Sequence, residues 1–227
     1  MTVDEVAPPD EGVWRVGRAP DPLATAKPLP PSWLDQPQLG NRFDSATGAY
    51  RVLYFSTTLQ GCFGETLARF RPDPGLKKVI GDDWGQQGFM NIGDIPADWR
   101  QRRIAAHVRF PAEGRFSHGV RFLDVESLAT RETLREELGP TLAFYGYTDL
   151  DVATVRGGDR RITRWIGQWA EGNFMFAGVR YLSRLNTEWE CWAVFDDVPI
   201  EELNRRPILQ TDPDFLKIAR TYKLTPH

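Results

Sequence analysis

Between Arg42 and Glu65 the chain gathers side chains able to serve a reaction. Arg42 enters a Gly-containing turn, a strand follows with Tyr54 in it, and a capped helix carries Glu65. On a helical wheel Glu65 falls at the border of the apolar face, beside Cys62, where a carboxylate could line a half-desolvated pocket. The competing reading is a surface pair with Arg69 at i,i+4, worth a few tenths of a kcal/mol. Arg15 and Arg42 both lie on or beside strands, where long charged side chains are less common than on exposed helices. Two such arginines can grip phosphates with bidentate forks, or they can form structural salt bridges. Tyr54 in YRVLYF can be core, and Ser183 in RYLSR an ordinary strand-end hydroxyl. Singly, none of these residues is specific.

More familiar chemistry finds no support. There is no GxSxG, no P-loop and no GxGxxG after a strand. Gly157, Gly158 and Gly172 read as turn or helix-cap glycines. Cys62 could act as a nucleophile with His107 or His118, but its place on an apolar helix face favours a buried structural thiol. The two cysteines, Cys62 and Cys191, form no CxxC, so neither a disulfide framework nor a zinc cluster is expected. His107, His118 and His227 lack HExxH-like spacing, and no metal site is expected.

The elements that must position these residues read as an α+β arrangement. Strands are predicted at residues 13–17, 50–55, 103–110, 121–125, 178–183 and 190–195, from alternation and β-branched or aromatic content. Helices are predicted at about 58–70, with Ser56 or Thr57 as cap, and at 128–138, 159–171, 200–204 and 213–222. Residues 1–12 read as a flexible arm ahead of a single domain, 13–227. The stretch 75–100 reads as an insertion with little regular structure. With 227 residues, 41% of them hydrophobic, the chain can bury a core without staples. The net charge of −3, with acids and bases interspersed, makes nucleic acid an unexpected partner. No stretch approaches the roughly 18 apolar residues of a membrane span, and the acidic N-terminus does not read as a secretory signal. The chain is therefore expected to be soluble and cytoplasmic.

Taken together and in order, the segments WRVG (14–17), NRFD (41–44), VLYFSTTLQGCFGETL (52–67), GVRYLSR (178–184) and ECWAVFD (190–196) resemble the RES domain, named for its arginine, glutamate and serine. The resemblance spans residues 13–196. It departs from the family pattern at Asn41, which separates Gly40 from Arg42, at Asp44, where asparagine is commoner, and at Gly64, where many members carry alanine. The resemblance implies a mixed sheet core with flanking helices, like that of ADP-ribosyltransferase toxins, and a cleft for NAD. It implies cleavage of the nicotinamide–ribose bond, by phosphorolysis to nicotinamide and ADP-ribose 1″-phosphate, in the toxin of a bacterial toxin–antitoxin pair. NAD would be the substrate and inorganic phosphate the co-substrate, with no prosthetic group. The partner would be a small helical antitoxin, and a homo-oligomer is left open. Carried onto this chain, Arg42, Glu65 and Ser183 would be catalytic, while Arg15, Tyr54 and Arg180 would bind substrate. The resemblance leaves two other outcomes for the same bond, a protein mono-ADP-ribosyltransferase and an NAD hydrolase. A catalytically silent binding module stands outside enzymes altogether.

Overall fold

The computed structural model describes residues 2–75, 91–173 and 175–227. Strands β1 (Glu5–Val6), β2 (Val13–Arg18), β3 (Val52–Ser56), β5 (Arg103–Arg109), β6 (Phe122–Asp124), β7 (Gly178–Leu182), β8 (Glu190–Phe195) and β9 (Glu201–Pro207) form one sheet. Their spatial order is β1-β6-β7-β8-β3-β2-β5-β9. A parallel β6–β7 pair stands among antiparallel neighbours, so the sheet is mixed. Two short strands, β4 (Asp94–Ile95) and β10 (Thr225–Pro226), pair separately. The helices are α1 (Leu59–Leu67), α2 (Ala97–Gln101), α3 (Leu128–Glu137), α4 (Gly139–Phe144), α5 (Val152–Arg156), α6 (Arg161–Gly172) and α7 (Pro213–Thr221). This is the α+β class, a mixed sheet with flanking helices.

Registered partners in a sheet share a face. The pairs Trp14↔Ser56, Ser56↔Cys191, Tyr54↔Ala193, Val179↔Ala193 and Tyr181↔Cys191 therefore put Trp14, Tyr54, Tyr181 and Cys191 on one face. Helix α1 lies on that face and approaches it closely. A Cβ at Gly61 would come 2.1 Å from Ser56 Oγ, and one at Gly64 would come 2.1 Å from the Trp189 ring. The space a side chain at residue 64 would need is thus occupied: Trp189 fills it. Helix α7 closes over α1, with Phe215 edge-on to Phe63 at 5.6 Å. Helix α6 covers the same sheet face further along, its Gly167 pressed against Phe43 O and Tyr50 Oη.

Four sequence expectations are corrected. Residues 201–207 form the edge strand β9, not a helix; every residue but Arg206 is exposed, so EELNRRP shows no apolar alternation, and its charges suit an edge. The N-terminal arm is tied down: Glu5 and Val6 pair with Leu123 and Phe122, and Thr133 Oγ1 donates to Thr2 O at 2.9 Å. Within the insertion, the described part contains β4 and α2; residues 76–90 lie outside the described residues. The cap of α1 is Thr58, which accepts from Gly61 N. Thr57 instead donates to Glu190 Oε2 and accepts from Trp192 Nε1. Among the described residues no helix is long and apolar enough to cross a membrane.

Candidate active site

Glu65 leaves the second turn of α1 on an exposed position. It does not pair with Arg69, whose guanidinium lies 5.3 Å from the Phe70 ring centroid. Its Oε1 accepts from Ser183 Oγ at 2.5 Å. Ser183 follows the last residue of β7 and is fully buried. Its Oγ also accepts from Leu185 N at 3.0 Å, and its own N–H donates to Trp189 O. The serine is held from three directions, and it in turn holds the carboxylate. The other carboxylate oxygen has no partner among the described residues.

Arg42 reaches the same region from the turn before β3. Its Nη1 donates to Val155 O at 3.0 Å and its Nη2 to Arg156 O at 2.8 Å. These are C-terminal carbonyls of α5, where a cation is favoured by the helix dipole and the orphaned acceptors. No carboxylate ion-pairs with Arg42 among the described residues, so the structural salt bridge is not formed. Burial pushes its guanidinium below the ordinary arginine range. Tyr181 and Glu65 oppose that shift, while Arg184 and Arg160 add to it. The Arg42 Cζ lies 6.0 Å from the Tyr181 ring centroid. Two guanidiniums, one carboxylate and one tyrosine thus act on Arg42, which leaves its surroundings electropositive.

Tyr54 braces the turn that carries Arg42. Its hydroxyl donates to Asp44 Oδ1 at 2.9 Å and accepts from Phe43 N at 3.1 Å. Burial and the facing Asp44 raise the phenol well above its usual range. The turn is held from its other side by α6. Arg160 donates to Gln38 O and Gly40 O, and the fully buried Arg164 donates to Leu34 O, Gln36 O and Leu39 O.

Two expected substrate binders sit elsewhere. The register places Arg15 opposite Trp14 in facing, and β2 and β3 share only the pair Trp14↔Ser56. Where the strands diverge, the Arg15 guanidinium fills the gap, donating to Tyr54 O at 3.0 Å and Pro22 O at 2.8 Å. Arg180 pairs with Trp192 and so faces away from Tyr181. It is bound to Glu190 at 2.7 Å and Asp124 at 3.1 Å. Both arginines are consumed in holding the sheet together. Sequence reasoning missed Tyr181, Arg160, Arg164 and Arg184. Tyr181 was recoverable, because it precedes Ser183 by two residues and so shares its side of the strand. Cys62 is a buried thiol donating to Trp14 O at 2.9 Å, and His107 stacks on Trp14 at 4.3 Å, so both are engaged in packing.

An anchored carboxylate facing clustered guanidiniums and aromatic rings suits an anionic substrate that develops positive charge at one carbon. Among solved structures, the chain matches one chain of the M. tuberculosis MbcT-MbcA toxin–antitoxin complex. The two chains share a fold. The TM-score is 0.52 at 11% identity, covering 94% of this chain and 87% of that one. No family model matches the sequence, and no curated protein matches it.

Proposed function

We propose that the chain consumes NAD by breaking the nicotinamide–ribose bond, with inorganic phosphate as acceptor, and that it is the toxin of a toxin–antitoxin pair. One observation carries this reading: the Glu65 carboxylate, in no ion pair among the described residues, is fastened by buried Ser183 and acts on the Arg42 guanidinium, on which Arg160 and Arg184 also act. The ordered motifs resembling the RES domain and the fold shared with a toxin–antitoxin chain support it.

In this mechanism the C1″–N bond breaks and its electron pair goes to the nicotinamide nitrogen, which changes from cationic to neutral. Positive charge grows on the ribose carbon and ring oxygen, where the Glu65 carboxylate stabilises it. A phosphate oxygen then bonds to C1″, giving ADP-ribose 1″-phosphate. Arg42, with Arg160 and Arg184, holds the pyrophosphate or the incoming phosphate. Tyr54 and Tyr181 wall the nicotinamide side. Ser183 fixes the carboxylate, so that it need not reorganise as charge develops. Arg15 and Arg180 act through the sheet and touch no substrate. A small helical antitoxin would inhibit by covering this cleft.

The exposure of Glu65 favours a second reading, because an open carboxylate admits acceptors other than phosphate. Incubating the purified protein with NAD, with and without inorganic phosphate, and weighing the products separates these outcomes. Phosphate-dependent ADP-ribose 1″-phosphate is the expected result. Free ADP-ribose regardless of phosphate would make the chain a hydrolase, and label retained on protein a mono-ADP-ribosyltransferase. Intact NAD in every tube would mean a silent binding module.

A further inference from the structure

Near the segment that follows α1, the sheet contains an unfavourable arrangement. Arg18, the last residue of β2, is registered directly opposite Arg103, the first of β5, and like charges so placed repel. Arg69, from the turn after α1, adds to the repulsion: burial, then Arg69 and Arg18, push the Arg103 guanidinium below its ordinary range, with Asp98 opposing. These three arginines and Arg102 border a cavity of about 530 Å³, whose walls include Phe70, Trp99 and Asp98. That volume lies within the usual range for small-molecule sites. Among the described residues the acidic compensation is small. Asp98 lies 3.5 Å from Arg102 with both side chains exposed, and neither Arg18 nor Arg69 has a carboxylate partner among the described residues. Arg103 is fixed, donating to Trp99 O at 2.9 Å with its Cζ 4.6 Å from the Trp99 ring centroid. Trp99 is 5% exposed, and its Nε1–H has no acceptor among the described residues.

We propose that this cavity is a second anion site, taking a small ligand with linked phosphates, either free pyrophosphate or the diphosphate of a nucleotide. Guanidinium forks match phosphate oxygens in pairs, and several of them around a single described carboxylate, Asp98, suit two adjoining phosphates better than one carboxylate. The cavity is too small for a duplex, and the chain's net charge is −3, so the ligand is a metabolite rather than nucleic acid.

The test is calorimetric titration of the full chain with inorganic pyrophosphate and, separately, with ADP. Three proteins are compared: wild type, Arg42→Ala, and the double variant Arg18→Ala/Arg69→Ala. Arg18 and Arg69 are exposed, so the double variant should melt like wild type. Pyrophosphate binding that persists in Arg42→Ala and weakens at least tenfold in the double variant is the expected result. Equal affinity for ADP would assign recognition to the phosphates alone; tighter ADP binding would add the nucleoside. No pyrophosphate binding in wild type, or binding lost with Arg42 and untouched by the double variant, would overturn the proposal. The NAD-cleaving cleft is assayed separately by nicotinamide release, so its failure and this one are distinguishable.

Discussion

At the residue scale, the candidate site depends on hydrogen bonds that orient charge rather than on charge alone. Ser183→Ala would leave Glu65 without its donor. Turnover of NAD is expected to fall about 10²-fold, the scale of a misplacement near 1 Å, with little change in KM. Steady-state kinetics checks this, and a KM rise at constant kcat would instead place Ser183 in substrate binding. Tyr54→Phe removes the hydroxyl that joins Asp44 to Phe43 N. It is expected to cost about 1–3 kcal/mol of stability in a denaturant titration and to raise KM through the loosened Arg42 turn. The candidate residues differ in how far sequence could place them. Glu65, Ser183, Tyr54 and Arg42 lie in local motifs, and the structure brings them to one region. Arg15 and Arg180 sit in equally good motifs, yet Arg15 is turned to Pro22 O and Tyr54 O and Arg180 to Asp124 and Glu190. Arg160 and Arg164 act on the 33–40 loop, a contact across more than a hundred residues that no local pattern announces.

At the element scale, α1 is set by small residues. Gly61 and Gly64 let it sit against Ser56 and Trp189, and Glu65 is the next residue along. Gly64→Ala would put a methyl into the Trp189 ring, so α1 must shift. Overpacking of this kind typically costs about 1–3 kcal/mol, and Glu65 would move with the helix. Lower thermal stability together with reduced NAD turnover is expected; unchanged turnover would show that Glu65 tolerates displacement. Strands β2, β3, β5, β7 and β8 were readable to within two residues, because burial writes apolar and β-branched side chains into them. The edge strands β1 and β9 were not, because an edge exposed to water carries charged residues that look like a loop or a short helix.

At the scale of the whole molecule, burial of weak acids ties stability to alkaline pH. Burial pushes the Cys62 thiol from 9.0 up to about 12, and Tyr181 and Cys191 are raised well above their usual values for the same first reason. In this range the folded chain holds protons that the unfolded chain releases. The stability that these groups contribute is therefore complete below about pH 9 and is lost as pH rises toward 12. The midpoint of urea unfolding should decline across that interval, and a flat profile would mean that these groups are not desolvated in the folded protein. Both thiols should also resist alkylation in native protein at neutral pH, since only the thiolate reacts.

In the proposed mechanism the Glu65 carboxylate drives cleavage of the nicotinamide–ribose bond by stabilising the charge that develops on the ribose. Nicotinamide release from NAD by purified wild-type protein and by Glu65→Gln, with both confirmed as folded by circular dichroism, tests it most directly. Release by wild type, reduced about 10²-fold or more in the variant, is the expected result. Full release by Glu65→Gln, or none by folded wild type with phosphate present, would contradict the account.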